Sequence, residues 1–129
     1  MDVRLLLEPS IAKWAARNAT DSEILEIIEL SHKIEIAILN DEDYSDLDVE
    51  FHTKIANSSR NLVVENLIPI LTTNIRSLID VTHAVLKEYT ILSRKKIANA
   101  IKERDEELAE QLMKEHIEIN QKYLDESFY

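Results

Sequence analysis

Glycine and cysteine are both absent from this chain of 129 residues, and proline occurs only twice. A glycine-rich phosphate loop and a dinucleotide fingerprint are therefore excluded, because both need backbone conformations that only glycine permits. Disulfides, thiolate metal ligands and thiol nucleophiles are excluded as well. There is neither a signal peptide nor a long apolar run, which predicts a cytoplasmic protein without a membrane segment.

Basic residues are also scarce, since 15 Lys and Arg stand against 25 Asp and Glu. The formal net charge of −10 should repel nucleic acid, whereas a protein that binds DNA by itself usually carries a basic face. We therefore expect any contact with DNA to come from a segment outside this chain.

The residues that are present favour a single domain, 1–129, built from amphipathic helices. Apolar residues make up 45% of the chain and charged residues 31%, and the apolar positions recur at helical spacing with no strand pattern. Thr20 and Glu23 form a capping-box pattern, and Asp105 is a candidate N-cap. Pro9 predicts a helix start or a kink, and Pro69 a break or a bend. The predicted helices are 3–18, one that opens after Thr20, 45–58, 62–86, 90–104 and one after Asp105, with an acidic loop at 40–43. This pattern predicts an all-α antiparallel bundle of six to seven helices.

Two polar residues of the predicted 45–58 helix lie beside its apolar row. Asp48 and His52 are four residues apart, so both project from one side of the helix. A carboxylate and an imidazole at this spacing can reach one ion and form half of a metal site. The alternative is an exposed Asp and a partly buried His with no ligand.

Further polar residues occupy apolar stripes of the later helices. His116 continues the row Leu112, Ile119 and Tyr123, where it is either a ligand or a hydrogen-bonded core residue. Arg94 shares a face with Ile97, Ala98 and Ile101. Its partner is Asp48 or a bound carboxylate, unless the side chain extends to the end of the bundle. Arg76 belongs to a polar stripe with His83, which is either solvated or lines a cavity.

Three motifs together resemble a known family. They are Arg4-Leu5-Leu6-Leu7-Glu8-Pro9, then Leu47-Asp48-Val49-Glu50-Phe51-His52, and finally the spaced set Ala100, Arg104, Asp105, Ala109, Met113 and His116. In this order they resemble the C-terminal (FCD) domain of GntR-type transcription regulators of the FadR subfamily. The resemblance implies a helical bundle that pairs into homodimers. It also implies an N-terminal winged helix-turn-helix domain that binds an operator and is missing here.

The same resemblance implies a ligand site inside the bundle. Many members hold a divalent metal through one Asp and three His, beside which a small organic acid binds. The matching positions here are Asp48, His52 and His116, but the third His is replaced by Arg94. A guanidinium cannot ligate a metal, because it stays protonated and has no available lone pair. Zinc, nickel or manganese would then depend on three residues and waters, whereas Arg94 would neutralise Asp48 or bind an acidic effector directly.

These expectations predict a ligand-sensing and dimerising regulator domain that performs no chemistry. The effector, a small organic acid, would contact Asp48, His52, Arg94 and His116, and further Asn57, Arg76 or Asn120. One alternative is a metal-dependent hydrolase in which Asp48, His52 and His116 activate a water. The other is a structural helical module in which the polar cluster is only a buried ion pair.

Overall fold

A computed structural model describes residues 3–72 and 86–128, with side chains described from Arg4 to Lys122. Within these residues the chain forms helices and no strand, so the all-α prediction is confirmed. The helices are α1 (Val3–Asn18), α2 (Asp21–Leu39), α3 (Ser45–Ser58), α4 (Leu62–Thr72), α5 (Lys87–Lys102) and α6 (Glu106–Phe128). Arg76 and His83, which belong to the predicted helix 62–86, lie outside the described residues.

Local capping signals fix the starts of α2 and α6 as the sequence predicts. The Thr20 side chain accepts from the Glu23 amide at 3.1 Å, and the Glu23 carboxylate accepts from the Thr20 amide at 2.8 Å. At α6, Asp105 accepts from the Leu108 amide at 3.1 Å. Each bond satisfies an amide that the first helical turn leaves unpaired.

Helix ends are made without glycine. Asp41, Arg60 and Arg104 take positive φ values of 55°, 58° and 60° immediately after the C-caps of α2, α3 and α5. This left-handed conformation is uncommon for residues other than glycine. After α2, the amides of Asp41 and Glu42 bond back to Ile38 and Ala37 at 3.1 and 2.8 Å, which closes the helix.

One helix boundary differs from the prediction, and the alternatives at the two prolines are narrowed. Helix α1 spans Val3–Asn18 as predicted and continues through Pro9, so the alternative of a start near Glu8 is wrong. Helix α4 likewise continues through Pro69 to Thr72, so the helix is not broken at that residue. Helix α5 spans Lys87–Lys102 instead of 90–104, because its first turn has no side-chain cap to mark it and Arg104 already lies in the left-handed turn.

The core is formed where α1 packs along α6 and α2 packs against α3 and α5. Helix α1 also contacts α3 and α5, so side chains from α1, α3, α5 and α6 meet in one interior. The largest fully buried apolar side chains are Ile27, Ile34, Ile38, Tyr44, Phe51, Ile55, Ile97, Ile101 and Met113. No helix in the described part of the chain is long and apolar enough to cross a membrane.

Helix α6 is rotated relative to the predicted stripe. Its buried residues are Ala109, Met113, His116, Ile117 and Asn120. Leu112 and Ile119, which were expected to point inward, are only partly buried. The Tyr123 side chain lies outside the described side chains. His116 belongs to both stripes, so its burial was predicted correctly although the buried face lies to its other side.

Candidate functional site

A buried ion pair between α5 and α3 is at the centre of the bundle. Arg94 Nε donates to Asp48 Oδ1 at 2.9 Å, and Arg94 Nη2 donates to Asp48 Oδ2 at 2.8 Å. Arg94 is 4% exposed and Asp48 is 2% exposed. This two-bond geometry is the one that matches a planar guanidinium to a carboxylate most closely. Asp48 is therefore the partner of Arg94, and Arg94 does not extend to the end of the bundle.

A second buried pair joins α3 to α1. His52 Nδ1 lies 2.7 Å from Glu8 Oε1, and the other carboxylate oxygen of Glu8 accepts from Arg4 Nε. An ionised carboxylate can only accept, so Nδ1 carries the proton of this bond. The other ring nitrogen, Nε2, is buried without a hydrogen-bond partner and lies 3.7 Å from Asp48 Oδ1.

His116 brings α6 into the same cluster. Its ring stacks on that of His52, with 5.8 Å between centroids and 25° between planes. Asn120, one turn later, places its side-chain nitrogen 3.3 Å from His116 Nε2. The cluster thus extends from Arg4 and Glu8 through His52 to Asp48 and Arg94 on one side and to His116 and Asn120 on the other.

Five of the seven predicted site residues are brought together. They are Asp48, His52, Arg94, His116 and Asn120. Asn57 is partly buried near the end of α3, and its position is about 140° around the helix from His52, so it does not project with the cluster. The structure therefore does not bring Asn57 to this cluster. Arg76 lies outside the described residues.

Glu8 and Arg4 belong to the cluster but were not predicted as site residues. Glu8 is 4% exposed, and it lies in one helical row with Ile11, Ala12 and Ala15, all buried. A carboxylate on an apolar stripe at this spacing was a readable signal, since buried charges are almost always paired. Glu8 adjoins Pro9, where a helix start or a kink was predicted, and it was not counted in the apolar stripe.

Burial and neighbouring charges act in opposite directions on the pKa values of the two carboxylates, and in the same direction on that of His116. Burial by itself would raise the pKa of Asp48, but the charge and hydrogen bonds of Arg94 outweigh it and lower the pKa. The pKa of Glu8 is lowered in the same way, because His52 and Arg4 outweigh burial. The pKa of His116 falls well below its ordinary value of 6.5, since burial and the charge of Arg94 both disfavour the protonated ring. The folded protein therefore keeps His116 neutral.

The shift at His116 predicts a loss of stability on mild acidification. The unfolded chain takes up this proton near pH 6.5, whereas the folded chain resists it, so the free energy of unfolding is highest above pH 6.5 and decreases below it. We expect His116 to contribute up to about 1.4 kcal/mol per pH unit to this slope. Urea unfolding measured from pH 7 to pH 5 should show that the free energy of unfolding decreases less steeply with falling pH in His116→Gln than in the wild-type protein. The exposed control His32→Gln should keep the full slope, and an unchanged slope in His116→Gln would contradict the assignment.

A narrow cleft opens beside His52. Its volume including the open mouth is about 280 Å³, but the space between its walls has room for only about one water. Its lining residues are Glu8, Ile11, His52, Ile55, Ala56, Ile68, Leu71, Thr72 and Met113. We call it the His52 cleft. An effector of several heavy atoms would not fit in it without movement of these side chains.

The cluster does not fit a divalent metal in this arrangement. Arg94 engages both oxygens of Asp48 and places a fixed positive charge beside them. In the described part of the chain, no group of three or more His, Asp or Glu side chains is placed to hold one ion. In this arrangement Asp48, His52 and His116 do not form the predicted metal site, because Arg94 occupies the carboxylate that a metal would need.

Comparison with known proteins places this geometry in a family. The FCD domain family matches residues 1–119. The galactonate operon transcriptional repressor of Escherichia coli (strain K12) is 28% identical over 116 residues, which are 85% of this chain and 49% of the repressor. The chain thus spans about half the length of this curated relative.

Solved structures show the same fold. Streptococcus agalactiae GntR matches with a TM-score of 0.77 and 29% identity over 92% of this chain and 55% of its own. The E. coli protein McbR/YncC matches with a TM-score of 0.73 and 22% identity over 93% of this chain and 61% of its own, which shows the fold alone.

The FCD family and the galactonate operon repressor are transcription regulators and not enzymes, so the hydrolase alternative is not supported and the prediction of a non-enzymatic domain is confirmed. With the family model matching most of its length, the chain belongs to the FCD domain family of GntR-type transcription regulators.

Proposed function

We propose that this chain is the effector-binding and dimerising domain of a cytoplasmic transcription regulator, and that its effector is a small organic acid held by Arg94. A missing N-terminal domain would bind the operator, since this chain has a net charge of −10 and about half the length of its curated relative. The relative's name refers to galactonate, a sugar acid, which makes hydroxylated acids the first compounds to test.

The observation that carries the proposal is the uncommitted edge of the Arg94 guanidinium. A guanidinium has five N–H donors, and Asp48 takes two of them through Nε and Nη2. Among the described residues, Ser93 is the only acceptor on Nη1, at 3.3 Å. The edge formed by Nη1 and Nη2 is therefore able to receive a second carboxylate with two parallel hydrogen bonds.

The charges of the cluster explain why an anion can be accommodated. Glu8 and Asp48 are balanced by Arg4 and Arg94, which are held in the two ion pairs described above. His116 is neutral because the pKa of its ring is strongly lowered. An incoming carboxylate competes with Asp48 for Arg94, and the donors of Arg94 and Asn120 replace its lost hydration.

The same competition gives a route from effector to operator. Arg94 is on α5, Asp48 and His52 are on α3, Glu8 is on α1 and His116 is on α6. A carboxylate that draws Arg94 away from Asp48 breaks the two hydrogen bonds that join α5 to α3, and so changes how these helices are held in the bundle. The acid can shift the equilibrium between the two helix arrangements only by the difference in its affinity for them.

Dimerisation is supported by an apolar surface on α4. Leu62, Val63 and Ile70 are 77%, 67% and 59% exposed, and Leu6 on α1, which contacts α4, is 78% exposed. Large apolar side chains grouped on neighbouring helices are typical of surfaces that bind another protein. A second copy of the chain on this surface would place the two DNA-binding domains as a pair.

Thermal unfolding in the presence of organic acids tests the effector. We expect D-galactonate or another hydroxylated acid at one hundred times its Kd to stabilise the domain by about 2.7 kcal/mol, a shift of several degrees in Tm. The uncharged sugar D-galactose should give no shift. In Arg94→Gln the response should disappear, whereas the exposed control Arg17→Gln should keep it. If no acid stabilises the wild-type protein, the domain is a structural module instead.

A further inference from the structure

A second and roomier pocket lies on the surface between α5 and α6. Its volume including the open mouth is about 350 Å³, against about 280 Å³ for the His52 cleft. It has room for several waters and for part of a small ligand. The lining residues are Tyr89, Leu92, Ser93 and Lys96 of α5 and Leu112 and Glu115 of α6. We call it the α5–α6 pocket.

The inner wall of this pocket touches Arg94. Ser93 lines the pocket, and its hydroxyl oxygen accepts from Arg94 Nη1, the nitrogen that Asp48 leaves uncommitted. Tyr89 lines the same pocket, where burial raises the pKa of its hydroxyl, the Arg94 charge opposes this increase and the Glu115 charge adds to it. The Ser93 hydroxyl is the direct contact between the pocket and the guanidinium.

The outer wall of the α5–α6 pocket carries both a hydrogen-bond donor and a hydrogen-bond acceptor. Lys96 is exposed and has no carboxylate partner among the described residues, unlike its neighbour Lys95, which binds Glu35 at 2.8 Å. Glu115 supplies carboxylate oxygens, one of which accepts from Gln111 at 3.0 Å. Ligand hydroxyls both donate and accept, so they can bond to Lys96 and Glu115 at once. In a chain of net charge −10, the unpaired ammonium also attracts an anion to the pocket.

We infer that the α5–α6 pocket is the outer part of the effector site and the route by which the acid reaches Arg94. The carboxylate lies toward Ser93 and Arg94 Nη1, and a hydroxylated remainder lies between Tyr89, Lys96 and Glu115. The ligand class is thus a small carboxylic acid that bears several hydroxyl groups. This inference depends on the proposed function, because it assigns a second subsite to the same effector.

A pair of leucine substitutions tests the route. Leu92 and Leu108 are 50% and 44% exposed, but only Leu92 lines the pocket. Leu92→Trp should fill the pocket and weaken D-galactonate binding at least about tenfold in calorimetry. The matched control Leu108→Trp should bind as the wild-type protein does. Thermal unfolding without ligand verifies that both variants are folded.

A charge reversal gives a second, independent readout. Lys96→Glu should lower the association rate of D-galactonate about tenfold at low salt, and Lys102→Glu, on the same helix but outside the pocket, should change it little. Hexanoate, which has the same chain length without hydroxyls, should bind the wild-type protein more weakly than D-galactonate.

The outcomes separate the two proposals. If D-galactonate binds, and binding is lost in Arg94→Gln but unchanged in both Leu92→Trp and Lys96→Glu, the acid reaches Arg94 by another path. The inference is then wrong and the proposed function stands. If hexanoate binds but no hydroxylated acid does, the inference is likewise wrong and the proposed function stands. If no organic acid binds the wild-type protein, both are wrong.

Discussion

Replacement of Arg94 by alanine should lower the free energy of unfolding by about 3–5 kcal/mol, the range measured when one member of a buried ion pair is removed. Asp48, which is 2% exposed in the intact protein, would lose both hydrogen bonds from the guanidinium. His52 Nε2 lies 3.7 Å from Asp48 Oδ1 and cannot replace a guanidinium that donates twice. Urea unfolding at pH 7 measures the effect.

An exposed ion pair provides the control for this substitution. Arg17 donates to Glu106 at 2.8 Å, with 56% of its side chain exposed. Arg17→Ala should cost about 1 kcal/mol or less, because solvent screens such pairs. A similar cost for both variants would mean that the buried carboxylate is not penalised, which would contradict the description of the Arg94–Asp48 pair.

The double variant separates a contribution to stability from the cost of a broken pair. With Asp48→Leu added to Arg94→Met, no buried charge is left without a partner, and apolar replacements of buried pairs are often neutral or stabilising. We expect the double variant to be at least about 2 kcal/mol more stable than Arg94→Met alone. The pair would then be present for ligand binding more than for stability. A double variant as unstable as the single one would instead assign it a structural role.

Stripe patterns in the sequence located the site residues but not their contacts. Asp48, His52, Arg94 and His116 were found because each interrupts or borders an apolar row, and a polar residue in such a position must be paired or bind something. Asp48 was also recognised as a possible partner for Arg94. The choice between Asp48 and a bound acid depends on how closely α3 and α5 approach, and helical spacing within one segment does not contain that distance.

Each incorrect or missing prediction at the site has an identifiable physical cause. Glu8 was missed because it adjoins Pro9, where a helix start or a kink was predicted, whereas α1 carries the proline in its interior. The stripe of α6 was displaced because Leu112 and Met113 are both apolar, and the sequence does not say which of two neighbouring rows faces the core. The bond between Nδ1 of His52 and Glu8 decides that Nε2 is the ring nitrogen left without a partner. That bond joins residues 44 positions apart, so no local pattern predicts it.

The geometry around Arg94 also predicts that one substitution converts the cluster into a metal site. Arg94→His removes the guanidinium that occupies both Asp48 oxygens, and it adds an imidazole to the two that already stack nearby. His52 is prepared for ligation, because Glu8 holds Nδ1 and leaves the Nε2 lone pair buried and unpaired. A carboxylate on the distal nitrogen of this kind orients ligating histidines in many metal sites.

We therefore expect Arg94→His to bind zinc, nickel or manganese at one ion per chain, at least about a hundredfold more tightly than the wild-type protein. At one hundred times the new Kd the ion should stabilise the variant by about 2.7 kcal/mol. Calorimetry and metal analysis after dialysis measure both quantities. Arg94→Gln, which removes the cation without adding a nitrogen ligand, should gain little affinity, and His116→Gln in the Arg94→His background should lose most of the gain. Tight stoichiometric metal in the wild-type protein would contradict the argument at its base, because the guanidinium would then have to move aside for an ion whose charge repels it.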